Sequence, residues 1–66
     1  MTGVIFSLTP AKGFGFIRDT EGVSRFFHVR DVIPQTAFDH LFVGKQVEFT
    51  PTETDRGPRA AEVKPC

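Results

Sequence analysis

No stretch of this sequence sustains a helical period; short runs rich in Val, Ile and Phe are cut by Gly, Pro, Thr and Asp about every ten residues, a spacing that suits short strands. The runs predict strands at residues 3–8, 14–18, 23–29, 46–52 and 59–63. Five such strands suit a partly open antiparallel barrel of the OB type, so the expected class is all-β. Thr9-Pro10-Ala11-Lys12-Gly13 and Asp19-Thr20-Glu21-Gly22 carry the residues that turns require, which makes the first three strands a meander. The longer connection 30–44 has Pro34 and Gly44 as breakers, has Phe38, Leu41 and Phe42 to pin it down, and leaves room for one short helical turn. No repeat, linker or low-complexity tract interrupts the chain, so one domain over residues 1–66 is expected.

A chain of 66 residues buries only about 60% of the surface its unfolded form exposes, so its stability rests on an efficient core. Cys66 is the single cysteine, which rules out an internal disulfide. Together with the separated His28 and His40 it matches no zinc-ligand spacing, and neither a metal nor another cofactor is expected. There is no apolar run of bilayer length and no basic-then-apolar leader, so a cytoplasmic protein without a membrane partner is expected. No Ser, Cys or carboxylate stands in a recognisable relation to either histidine, and the sequence predicts neither an enzyme nor a small-molecule substrate. Eight basic and eight acidic residues cancel, so net charge neither announces nor excludes a nucleic-acid partner.

The aromatic usage is more informative: eight Phe with no Trp and no Tyr. In Lys12-Gly13-Phe14-Gly15-Phe16-Ile17, the rings of Phe14 and Phe16 share one face of a strand. The flanking glycines lower strand propensity but let another backbone, or a ligand, approach closely. Phe26 and His28 share a face in the same way, while Phe27 and Val29 take the opposite side. Pairing of these two strands would gather Phe14, Phe16, Phe26 and His28 into one patch bordered by Lys12 and Arg30. Alternation alone favours the other assignment, with the paired rings turned into the core, and leaves the choice open. Val47 and Phe49 belong to the core on either assignment.

Lys12 to Ile17 resembles the first ribonucleoprotein motif of bacterial cold-shock proteins, and Phe26-Phe27-His28-Val29 resembles a variant of their second. The likeness runs the length of the chain, from Gly3-Val4-Ile5 through Phe38, Leu41 and Gly44 to Arg56-Gly57-Pro58. It implies a five-stranded OB-fold barrel that binds single-stranded RNA or DNA by stacking bases on exposed rings, melts RNA secondary structure and adjusts gene expression. It also implies a site of Lys12, Phe14, Phe16, Phe26, His28 and Phe38, with Arg56 and Pro58 near the groove. Four cations, Lys12, Arg30, Arg56 and Arg59, are expected near the face, and hence a shallow salt dependence.

Two departures from the family pattern bear on affinity. The opening strand of the family reads Lys-Trp-Phe-Asn where this chain has Phe6-Ser7-Leu8-Thr9, and the aromatic that follows the second motif's histidine is Val29. Arg25 stands where an aliphatic residue is usual. Two lost platforms correspond to roughly 2 to 6 kcal/mol of gross stacking, which predicts a weaker binder with a footprint of about three or four bases. A ring at Phe6 replaces the tryptophan only if a bulge breaks the alternation, because a one-residue shift points to the other face of a regular strand. A second function of a different class is a degenerate barrel serving as a protein-interaction module, which exposed Phe residues also suit. A monomer is expected, with strand exchange through the long connection as the route to a dimer.

Overall fold

A computed structural model describes residues 1–66. Five strands, β1 (Thr2–Thr9), β2 (Phe14–Asp19), β3 (Ser24–His28), β4 (Gln46–Thr54) and β5 (Gly57–Pro65), close into one barrel in the order β1-β2-β3-β5-β4. Every predicted strand is present, each within a few residues of its expected limits. Short 3-10 turns at Pro10–Lys12, Val29–Asp31 and Gln35–His40 occupy the connections. Neighbouring strands run antiparallel except β3 and β5, which are parallel and share the single register pair Phe26↔Arg59. Beyond the end of β3, an isolated parallel bridge between Val32 and Val63 extends this seam.

The interior follows from strand alternation. Ile5, Ile17, Phe27, Val47, Phe49, Ala60 and Val63 point inward from the strands, and Val32, Phe38 and Leu41 from the long connection plug one opening. Burying such side chains contributes about 1.5 to 3 kcal/mol each, and this is the main favourable term in so small a fold. Phe38, expected from the resemblance at the binding face, is instead part of the core: it is only 6% exposed and packs edge-on against Phe27 at 6.3 Å between ring centroids. The cause is the Gln35–His40 turn, which presents Phe38 as its one buried side chain.

Of the two approaches that Gly15 allows, the barrel uses that of a neighbouring backbone. Gly15 points into the barrel, opposite Leu8, and a Cβ there would lie 2.8 Å from the Ser7 carbonyl oxygen and 2.9 Å from Phe27 Cε1. Its missing side chain makes room for the neighbouring backbone and for the Phe27 ring, rather than for a ligand. At the preceding turn Gly13 adopts φ 73°, a left-handed conformation that glycine enters without strain.

Two opposite charges, Arg25 and Asp19, are buried as a pair. Arg25 shares the inward side of β3 with Phe27, and its guanidinium donates from Nε to Asp19 Oδ2 (3.0 Å) and from Nη1 to Glu53 Oε2 (2.8 Å). Nη1 also reaches the carbonyl oxygens of Thr52 and Arg59, at 3.3 and 3.2 Å. Asp19 Oδ1 accepts the backbone N–H groups of Glu21 (2.8 Å) and Val23 (2.9 Å), which also closes the β2–β3 turn. The Val23 N–H, with the Arg25 guanidinium and the Glu21 N–H, holds the Asp19 carboxyl below its ordinary range against the opposing effect of burial.

Two outcomes are expected. Ionised Asp19 stabilises the fold fully above its unfolded-state pKa of about 3.9, and that contribution is lost as pH falls through the lower folded-state value. Circular-dichroism unfolding should show stability level near neutrality and falling below about pH 4, and Asp19→Asn should be less stable at neutral pH with a flatter acid limb. Gly15→Ala should lower stability by about 1 to 3 kcal/mol through overpacking against Phe27 and β1, measured as a shift in urea midpoint.

Candidate nucleic-acid interface

Outward-facing positions of the first three strands carry the rings. Register pairs Phe14 with His28 and Phe16 with Phe26, so β2 and β3 present these four side chains on one outer face. Ring centroids of Phe14 and Phe26 are 5.7 Å apart, those of Phe16 and Phe26 also 5.7 Å, and those of Phe14 and Phe16 6.3 Å. All four side chains are half-buried by one another and remain open to solvent above. Such mutual contact holds the rings in place before a ligand arrives, so little ordering entropy is lost on binding.

The rim is polar and largely preset. His28 donates its backbone N–H to Asp31 Oδ2 (2.9 Å), and its Nδ1 accepts the Arg30 N–H (3.2 Å). A neutral imidazole so held carries its hydrogen on Nε2, which leaves a donor at the outer tip. Arg59 donates to the same Asp31 oxygen (2.9 Å), while its guanidinium carbon lies 5.2 Å from the Phe26 ring centroid. The β4–β5 hairpin forms the far wall: Thr54, Asp55, Arg56, Gly57, Pro58 and Arg59 enclose, with Phe16 and Phe26, a cleft of about 610 Å³.

Of the residues singled out from sequence, Phe14, Phe16, Phe26 and His28 thus come together, and Arg56 and Pro58 line the cleft beside two of the rings. Lys12 is exposed at the end of the Pro10–Lys12 turn, directly ahead of β2. Phe38 does not join them. No three or more His, Cys, Asp or Glu side chains are grouped so as to hold a metal ion.

Two features escaped the sequence. The register of β1 on β2 slips between Ile5 and Ser7: Ile5 faces Ile17 in the interior, whereas Ser7 already faces Phe16 on the outside. The bulge that a regular strand lacks is present, and Phe6 stands beside Phe16 at 6.2 Å between ring centroids. Arg18 lies over Phe6, its guanidinium carbon 4.5 Å from the ring centroid. Arg18 was legible in principle, since it follows Phe14 and Phe16 at the same two-residue period along β2.

The sequence matches the domain family described as 'Cold-shock' DNA-binding domain over residues 1–66. Among its relatives, the cold shock-like protein CspA of Vibrio cholerae is 38% identical over 64 residues, covering 96% of this chain and 90% of the relative. The cold shock-like protein CspC of Bacillus cereus is 40% identical over 63 residues, covering 96% and 95%. The cold shock protein CspA of Staphylococcus aureus is 41% identical over 61 residues, covering 92% and 91%. No helix is long and apolar enough to cross a membrane.

Proposed function

The chain belongs to the cold-shock domain family, and we propose that it binds single-stranded RNA or DNA on the outer face of β1–β3, acting as an RNA chaperone or regulator of gene expression in the cytoplasm. The observation that carries this reading is the clustering of Phe14, Phe16, Phe26 and His28 outside the barrel, beside a cleft that contains Arg56, Pro58 and Arg59. A contiguous outward group of rings buries no core, yet it offers flat apolar surfaces on which bases stack. Each stacked base contributes about 1 to 3 kcal/mol, whatever its identity. The Nε2–H of His28 supplies a hydrogen-bond donor at the edge of that surface, and Lys12, Arg18, Arg30 and Arg56, which have no carboxylate partner, supply cations for phosphates.

Such a ring surface distinguishes single strands from duplexes. In a duplex the bases are already stacked and paired, so their faces are not available to Phe14 or Phe26, whereas an unpaired strand offers them freely. A protein that holds only unpaired bases favours the melted form by mass action, which is the physical content of chaperone activity.

Titration of fluorescently labelled oligothymidine, with a duplex of the same length as control, should give micromolar or tighter binding to the single strand alone. Amide shifts should centre on Phe14, Phe16, Phe26 and His28. With about three or four phosphate contacts at −0.7 each, the slope of log K against log salt should lie between about −2 and −3. Phe14→Ala should weaken binding by about 1 to 3 kcal/mol while the barrel stays folded. An intact fold that binds neither DNA nor an RNA counterpart would overturn the proposal and favour a protein-interaction module.

A further inference from the structure

We infer that Phe6 and Arg18 form an additional nucleotide subsite at the β1 margin of the face, an inference that rests on the nucleic-acid reading above. Phe6 is 39% exposed and lies outside the buried core cluster, and its ring neighbour is Phe16 at 6.2 Å. It therefore continues the row of rings outward: Phe26, Phe16 and Phe6 follow one another across β3, β2 and β1. A guanidinium lies over the ring at each end of that row, Arg59 over Phe26 and Arg18 over Phe6.

The two ends differ in one respect. Arg59 is tied to Asp31 by an ion pair, whereas Arg18 makes only a long 3.5 Å bond to the Gly22 carbonyl oxygen. Arg18 is thus free to turn its donors toward a phosphate while its plane stays against Phe6, and a base then stacks on the exposed part of that ring. Guanidinium planes and phenyl rings both accept stacked bases, and a cation over the ring adds an electrostatic component. The β1 bulge is what permits the arrangement, since it sets Phe6 and Ser7 side by side on the outer face.

Because Phe6 sits at the end of the row, the base it holds is a terminal one, and its effect depends on ligand length. Labelled oligothymidines from about three to about seven nucleotides, a range around the site sizes of such folds, are titrated against the wild-type protein, Phe6→Ala and Phe6→Leu. The wild type should keep gaining affinity for one nucleotide more than either variant, ending about fivefold or more tighter at the plateau, with near-equal affinity for the shortest oligomer. Arg18→Gln should reduce the magnitude of the salt slope by about 0.7 at the plateau length and leave it unchanged for the shortest oligomer. Superimposable length profiles, or a loss equal at every length with folding intact by circular dichroism, would overturn the subsite and leave the central site standing. Absence of binding by the wild type itself would overturn both.

Discussion

Arg25 closes the barrel where the backbone does least. β3 and β5 share one register pair inside the strands, and across that thin seam the Arg25 guanidinium reaches the Arg59 carbonyl oxygen on β5 and, on β4, the Thr52 carbonyl and the Glu53 carboxylate. Its anchor is Asp19, whose other oxygen gathers the N–H groups of the β2–β3 turn. A single buried cation therefore connects four of the five strands. A pair of this kind adds little net stability over well-packed apolar side chains, but removing one partner leaves the other charge stranded in the interior. Its effect is geometric: it sets where β5 lies against β3, and so where the cleft wall stands relative to Phe26.

The second constraint is the capacity of the interior. Of the eight Phe, the barrel holds Phe27, Phe38 and Phe49, and Gly15 is needed even to admit the first of these. The outer face takes Phe6, Phe14, Phe16 and Phe26, and Phe42 lies exposed on the long connection with Lys45 near its ring. Rings that cannot enter the core remain together outside it, and their mutual contacts limit the cost of exposure. Parity along β2 and β3 decides which ring goes where, so one strand pair supplies both the wall of the core and the surface for the ligand.

Much of this was legible in the sequence. The five strands, the shared face of Phe14 and Phe16 with Phe26 and His28, and the inward Val47 and Phe49 all follow from a period of two and from turn chemistry. What alternation alone left open, the side on which the rings lie, depends on how much volume the closed barrel encloses, and that is a property of the whole sheet. The burial of Phe38 is not legible in sequence, because a 3-10 turn has no period long enough to reveal its buried side. The slip at Phe6 was hidden because a bulge is a feature of two paired strands, and nothing in Ile5-Phe6-Ser7 alone announces it. Gly15 leaves a backbone and a ligand as equal alternatives in the sequence, which shows that room is left but not what fills it. Arg25 carried a readable signal, since it shares the parity of Phe27, but its partners Asp19 and Glu53 lie 6 and 28 residues away.

The bulge in β1 has an evolutionary side. On a regular strand, neighbouring positions answer to opposite demands, and a change of ring at one of them tends to disturb packing at the next. Here Phe6 and Ser7 both lie outside the barrel, between Ile5 and Leu8, which serve the interior. Two adjacent codons are thereby released from the core and answer only to whatever touches the surface. Such a barrel can drift in how tightly and over how long a stretch it grips its ligand, by single substitutions that leave folding nearly neutral.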